Sequence, residues 1–297
     1  MTNKKIRKKS IKKLITITFF IIIALSFSFM IEIKAKENSQ VRISVPVGPS
    51  SLPAFYLQEN SEINVKTSIH KNKNIAISRL INGQTDMALI PTNEAVKLYN
   101  KGINIKIANI HTWGLFYIIT TDPEIESLND LKNKEIYVPE KGGPMDIIFS
   151  FIAQENKIYK NLDIKRGKPK EISKLIINDM TKTVVLREPF VSQVLLNNSS
   201  AQIMIDLQKE WKNKMGKELP QASLVVKNKF SEENSNLVIE FNEEYKEAIN
   251  WVNNNNSKAA QLGLEYMNIK TKVTESSAPR LNLSYEKAID VKEEIDN

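Results

Sequence analysis

Residues 79–94, Arg-Leu-Ile-Asn-Gly-Gln-Thr-Asp-Met-Ala-Leu-Ile-Pro-Thr-Asn-Glu, decide the fold class. A helix is expected to end at Asn82 and Gly83, because glycine adopts the left-handed backbone that closes a helix without a Cβ clash. Met87, Ala88, Leu89 and Ile90 form a short, wholly apolar run. That pattern suits a strand covered on both faces, as in a parallel sheet, and the expected strand covers residues 86–90. Pro91 follows, and Thr92 or Asn93 is expected to cap the next helix, with Glu94 in its first turn. In open α/β sheets, the carboxyl end of a strand meeting a helix N-terminus is where ligands bind. Pro91, Thr92 and Asn93 are therefore candidate ligand contacts.

Outward from this unit the pattern repeats. Residues 41–47 alternate as a strand and 52–57 read as a short helix with Pro53 in its first turn. A strand at 63–69, a helix at 75–81, a helix at 93–100 closed by Gly102, and strands at 105–111 and 115–121 complete a β-α-β-α-β run. A second round has strands at 135–138, 161–165, 183–186 and 202–206 and helices at 171–180 and 190–196. A further helix opens at Gly142, Gly143 and Pro144. Beyond Leu224, Val225 and Val226 the chain reads as mostly helical. Leu237, Phe241, Tyr245, Ile249 and Val252 fall at helical spacing, and a polar break at 253–256 makes Ser257 the expected next cap.

The 297 residues carry a formal net charge of +8, but the distribution is uneven. Residues 1–35 hold eight Lys/Arg and one acid. The rest keeps 34 of the 42 basic and 33 of the 34 acidic residues, a net charge of about +1, and gives no electrostatic reason to bind nucleic acid. The basic start and the uncharged run over 14–31 read as a secretory signal with cleavage near Ala35. The same run borders on the ~18 residues of a membrane span, so a retained anchor is the alternative. The remaining chain is expected to be exported, to the periplasm or the outer face of the cytoplasmic membrane. The chain has no cysteine, which excludes disulfides, thiol nucleophiles and a lipoprotein anchor. The two histidines, His70 and His111, are too few for the usual zinc site, so no metal is expected.

Gly48, Pro49, Ser50 and Ser51 lie between a strand end and a helix start at Leu52. Their N–H groups and hydroxyls can hold a polar or anionic group, or form an ordinary Pro-Ser turn. No Gly-x-Ser-x-Gly elbow surrounds either serine, which argues against a serine hydrolase. Gly142 and Gly143 offer a similar loop without the Lys-Ser/Thr ending of a nucleotide P-loop. Arg187 can fork onto a carboxylate or sulfonate, or pair with its neighbour Glu188. Trp113, followed by Gly114, is the best placed of the aromatics that could stack on a flat ligand, ahead of Phe55, Tyr56, Tyr117 and Tyr137.

In this order, the stretches GPSSLP, RLINGQTDMALIPTNEAV, WGLFYIITT, SLNDLKNKEIYVPEKGGP, VVLREPFVSQVL and LPQASLVV resemble the type II periplasmic solute-binding proteins of ABC importers. The similarity is to the branch of nitrate, sulfonate, taurine and thiamine-pyrimidine-precursor binders. It implies an α/β fold of two lobes, each a mostly parallel sheet flanked by helices, with two crossing strands as hinge. Lobe 1 would be 41–117 plus 223–297, and lobe 2 would be 118–222. The implied pocket uses Gly48, Ser50, Ser51, Leu52, Pro91, Thr92, Asn93, Trp113, Gly114, Gly142, Gly143, Arg187 and Glu188. The implied partners are a small polar, anionic or aromatic solute and an ABC permease with its ATPase, with the binding protein itself a monomer. No cofactor and no catalysis are implied. An enzyme of the same fold acting on a cofactor precursor, and a membrane-tethered sensory module, are the rival readings. The cysteine-rich motif of the eukaryotic pyrimidine-synthase relatives is absent.

Overall fold

The computed structural model describes residues 40–295. The first part of the chain runs β1 (Gln40–Pro46), α1 (Leu52–Asn60), β2 (Asn64–His70), α2 (Lys73–Ile81), β3 (Met87–Pro91), α3 (Thr92–Asn100) and β4 (Ile105–Thr112). Then come β5 (Phe116–Thr120), β6 (Glu135–Pro139), α4 (Pro144–Glu155), β7 (Asp163–Gly167), α5 (Pro169–Ile177), β8 (Thr183–Arg187), α6 (Phe190–Asn197), β9 (Gln202–Asp206) and α7 (Leu207–Met215). The chain returns through β10 (Ala222–Lys227), α8 (Asn228–Glu233), α9 (Ser235–Asn254), α10 (Asn256–Met267), α11 (Thr271–Ser277), β11 (Leu283–Lys287) and α12 (Lys292–Ile295).

The strands form two sheets, in the orders β11-β4-β10-β3-β1-β2 and β7-β6-β8-β5-β9. Each sheet with its helices is one lobe. The chain crosses between them at residues 113–115 and again before β10. Both sheets are mixed rather than uniformly parallel. β1 pairs parallel with β3, but β10 enters between β3 and β4 antiparallel to both. In the second sheet β6 is parallel to β7 and β8, whereas β5 is antiparallel to β8 and β9. A strand that has just crossed from the other lobe enters from the end where its neighbours finish, which forces the antiparallel pairing.

The decisive stretch behaves as its chemistry requires. Gly83 has φ 72° and closes α2, whose start is capped by the Asn72 side chain accepting the Ile75 N–H at 3.2 Å. Met87, Ala88, Leu89 and Ile90 are all buried, each large side chain contributing on the order of 2 kcal/mol of burial. Asp86 precedes the strand instead of opening it. Its carboxylate accepts the backbone N–H of Arg42 at 3.0 Å and pairs with that guanidinium at 2.6 Å, tying β3 to β1. The expected cap is corrected: α3 starts at Thr92 with Pro91 at the cap position and no side-chain cap bond, because strand passes directly into helix. Ser257 is likewise not a cap, since α10 begins after Asn255. β11 lies within a region expected to be helical and completes the first sheet beside β4.

Helix α9 buries Val238, Phe241, Tyr245, Ala248, Ile249 and Val252. This stripe at three- and four-residue spacing seals one face of the first sheet. Among the described residues, no helix is long and apolar enough to cross a membrane. The signal-like segment and its cleavage point lie outside the described residues.

Candidate functional site

The loops that follow β1, β3 and β4 leave the first sheet at one edge. Pro91 pairs with Ala222, and Ala222 pairs with Thr112. In the second sheet, Phe116 pairs with Arg187, so β8 ends where β5 begins. The Glu188 N–H donates to the Leu115 carbonyl at 3.0 Å, fastening that end to the crossing residues. The crossing thus joins the two edges.

On the first lobe, the Gly48 N–H points to the Met267 sulfur at 3.1 Å and its backbone is extended. Ser51 is buried and donates its hydroxyl to the Pro46 carbonyl at 2.7 Å. Ser50 is half-buried and Leu52 fully buried. Thr92 is buried and donates its N–H to the Gln221 carbonyl at 3.2 Å, while Pro91 and Asn93 are half-buried. The hydroxyls of Thr92 and Thr112 are buried and make no hydrogen bond among the described residues, whereas the buried His111 ring has the Ser50 backbone as a polar neighbour. Buried polar atoms are nearly always hydrogen-bonded, so the ends of β3 and β4 carry spare hydrogen-bonding capacity. Thr112 was not anticipated; its only sequence signal is its place at the end of β4.

His111 and His70 both lie in the first lobe. Burial lowers each to about 4, with Arg79 adding to the effect at His70 and the Ser50 backbone opposing it at His111. His70 also meets the Ser44 hydroxyl at 3.1 Å. Both rings are therefore neutral near pH 7. Between about pH 6.5 and 4 the folded chain binds fewer protons than the unfolded chain, so stability rises with pH across that window. Each ring contributes up to about 3 kcal/mol. The melting temperature is expected to start falling as pH drops below about 6.5, above the range where carboxylates titrate. A flat profile from pH 6.5 to 5 would contradict the buried, neutral assignment.

The second lobe divides its candidates. The Gly142 N–H donates to Asp146 at 2.8 Å, and the Gly143 N–H donates to the Glu140 carbonyl at 2.7 Å. Burial would raise the Asp146 carboxyl, but the Gly142 N–H and Arg166, at 2.6 Å, outweigh it and hold it below the usual carboxylate range. The donors of this loop are thus committed internally, and the carboxylate beside it repels anions. Arg187 is different. It is half-buried, its Nη1 donates only to the Glu188 carbonyl at 3.3 Å, and its Cζ lies 5.7 Å from the Phe190 ring centre. Burial lowers its pKa, with Glu140 pulling the other way. Among the described residues no carboxylate oxygen comes within 4 Å of it. Glu188 does not neutralise it: that carboxylate is fully buried and bound to Arg280 at 2.5 Å and to Ser192.

The aromatic candidates are occupied by internal contacts. Phe55 stacks on Tyr266 and Tyr56 on Trp251, with ring centroids 4.5 and 4.2 Å apart. Tyr117 donates to the Arg280 carbonyl at 2.8 Å, and the half-buried Tyr137 packs against the second lobe's core. Trp113 is buried, and its indole N–H donates to the Ser284 carbonyl at 2.9 Å, pinning the C-terminal segment. Trp113 and Gly114 border an open cavity of about 570 Å³ beside the crossing, with Tyr117, Asp206, Lys209 and Arg280. A Cβ on Gly114 would overlap the Arg280 carbonyl oxygen and lie 3.1 Å from the Leu281 carbonyl carbon. Gly114→Ala is therefore expected to cost about 1–3 kcal/mol, read as a lower denaturation midpoint, because backbone on both sides must separate. An unchanged midpoint would show that the crossing yields freely.

The comparisons agree with this architecture. A relative in Bacillus subtilis (strain 168), named "Putative binding protein YtlA", is 21% identical over 234 residues, covering 76% of this chain and 68% of that protein. The crystal structure of an ABC transporter from Parabacteroides distasonis superposes with a TM-score of 0.74 at 24% identity, covering 87% of this chain and 90% of the other. The periplasmic aliphatic sulphonate binding protein SsuA from Escherichia coli superposes with a TM-score of 0.69 at 12% identity, covering 84% and 86%. Residues 55–259 match the family described as NMT1/THI5 like, and the chain belongs to that family.

Proposed function

We propose that this chain is the exported solute-binding component of an ABC importer, and that it captures a small anionic solute between its two lobes without chemical change. The lobes are taken to divide at the crossing residues 113–115 and just before β10. The observation that carries the choice of an anion is Arg187, a half-buried guanidinium at the end of β8 with no carboxylate oxygen within 4 Å among the described residues. A buried cation normally has one, because desolvation is costly. The spare hydroxyls of Thr92 and Thr112 on the facing lobe suit the remaining oxygens of such a solute. A flat aromatic precursor is the weaker reading, since the aromatics that would stack on it are engaged elsewhere. Solute bridging both lobes shifts the population toward the closed form that a permease recognises. The basic start and uncharged run of the N-terminal segment support export.

A thermal-shift panel of nitrate, sulfate, taurine and short alkanesulfonates tests this. A specific ligand at 100 times its Kd stabilises by about 2.7 kcal/mol through mass action. At least one anion is expected to raise the melting temperature by several degrees and to be recovered unchanged. Stabilisation only by neutral or cationic solutes, or conversion of the bound compound, would overturn the proposal.

A further inference from the structure

The strands β7, β6 and β8 run parallel, and their carboxyl ends bring Gly167, Pro139 and Arg187 to one edge of the second sheet. In open α/β sheets that edge is where ligands bind. Tyr137 pairs with Val184, so the residue after β6, Glu140, stands level with Arg187 on the neighbouring strand. Glu140 is exposed, and its backbone is left-handed with φ 43°. Non-glycine residues held in that region concentrate at ligand sites. Two backbone bonds hold it there: its N–H donates to the Gly167 carbonyl at 3.4 Å, and its carbonyl accepts the Gly143 N–H at 2.7 Å. Its side chain folds back over Gly143, with Oε2 3.5 Å from the point a Cβ there would occupy. Asp146, the acid at the start of α4, is taken by the Gly142 N–H and by Arg166. The Glu140 carboxylate, by contrast, accepts no hydrogen bond among the described residues. It is nonetheless the charge that supports the Arg187 guanidinium against the effect of burial.

The two groups are neighbours in the sheet, opposite in charge and not paired: no Glu140 oxygen lies within 4 Å of an Arg187 nitrogen. We propose that Glu140 is a specificity-determining residue: among solutes whose anionic group binds Arg187, it selects those that also present a hydrogen-bond donor or an ammonium group to its carboxylate. The proposal rests on the reading of Arg187 as the anion contact. A plain oxyanion on Arg187 meets a second negative charge nearby, and the two repel. A solute with a donor at its other end turns the same carboxylate into a partner. A charged donor gains most, because the bond is then charge-assisted on both sides. Selectivity thus comes from an unmet charge set against one class of solute as much as from a contact offered to the other.

The full chain and its Glu140→Gln variant are titrated calorimetrically with ethanesulfonate, 2-hydroxyethanesulfonate and taurine, which share a sulfonate and differ only at the far carbon. Wild type is expected to bind taurine tightest and ethanesulfonate weakest, with about tenfold or more between them, as a charge-assisted bond gives. Glu140→Gln keeps an acceptor oxygen and loses the charge. Its ratio is expected to fall to about threefold or less, with ethanesulfonate bound no more weakly than by wild type. If Glu140→Gln does not fold, Glu140→Gly, which suits the left-handed backbone, is read in its place with the same expectation. A wild type without the preference, or a preference that survives in the variant, overturns the proposal alone and leaves the anion reading standing. So does a wild type that binds only nitrate or sulfate. Binding of no anion in the thermal-shift panel overturns both.

Discussion

Arg187→Met is expected to weaken binding of the captured anion about 100-fold while leaving the ligand-free melting temperature unchanged or slightly higher. The two halves of that expectation have one cause. Among the described residues the ligand-free guanidinium has a single neutral acceptor, the Glu188 carbonyl, and its Cζ lies 5.7 Å from the Phe190 ring centre. Its burial disfavours the charge, so removing it relieves a desolvation cost instead of breaking an ion pair. Methionine keeps most of the stem's packing. With solute bound, the same guanidinium makes the charge-assisted contact, worth about 1.5–3 kcal/mol or roughly 10–100-fold, and more in a water-poor cleft. Calorimetric titration and a thermal melt on the same samples separate the two effects. Weaker binding accompanied by an equal loss of stability would mean that Arg187 is a structural residue.

The opposite behaviour is expected one residue later. Glu188→Ala should lower stability by about 3 kcal/mol, which for a chain of this size is a fall of about 5–10 °C in melting temperature. The carboxylate is fully buried, and burial pushes it upward against the pull of Arg280 and Ser192. Removing it leaves a guanidinium that is still largely covered, and also an N–H and a hydroxyl at the start of α6, without their acceptor. Leaving buried partners unsatisfied is what makes such deletions costly. Glu188→Gln retains an acceptor oxygen and is expected to lose clearly less. Equal, small losses for both variants would show that the Arg280–Glu188 contact contributes little to the fold.

These neighbouring residues also show how far the sequence could be read. The stretch 79–94 was legible because its signals are local: Gly83 closes a helix, and four apolar residues in a row make a doubly covered strand. The expected cap, Thr92 or Asn93, falls one or two positions late because Pro91 serves as both strand end and helix cap, which no single-residue preference resolves. The Gly142 loop was legible as a turn, but not its internal commitment. Asp146 four residues on was the available clue, since an acid in the first turn takes the N–H groups an anion would use. Trp113 was correctly placed after a strand, yet its indole is used by Ser284, 171 residues away. Arg280 was not singled out at all. Its partner lies 92 residues earlier on the other lobe, and neither Pro279 nor Leu281 marks it by spacing or pattern. Contacts of that kind arise only when the C-terminal turn returns to the crossing strand.

Under the proposed function, this chain holds a small anion between its lobes and releases it intact. Mass spectrometry of the small molecules that co-purify with the chain, repeated after denaturing release and after incubation of the refolded chain with the compound found, tests it most directly. One low-mass anion is expected at up to one per chain, retained by wild type, absent from Arg187→Met, and unchanged in mass after incubation. A cationic or neutral compound bound equally well by Arg187→Met, or a change in its mass on incubation, would contradict it.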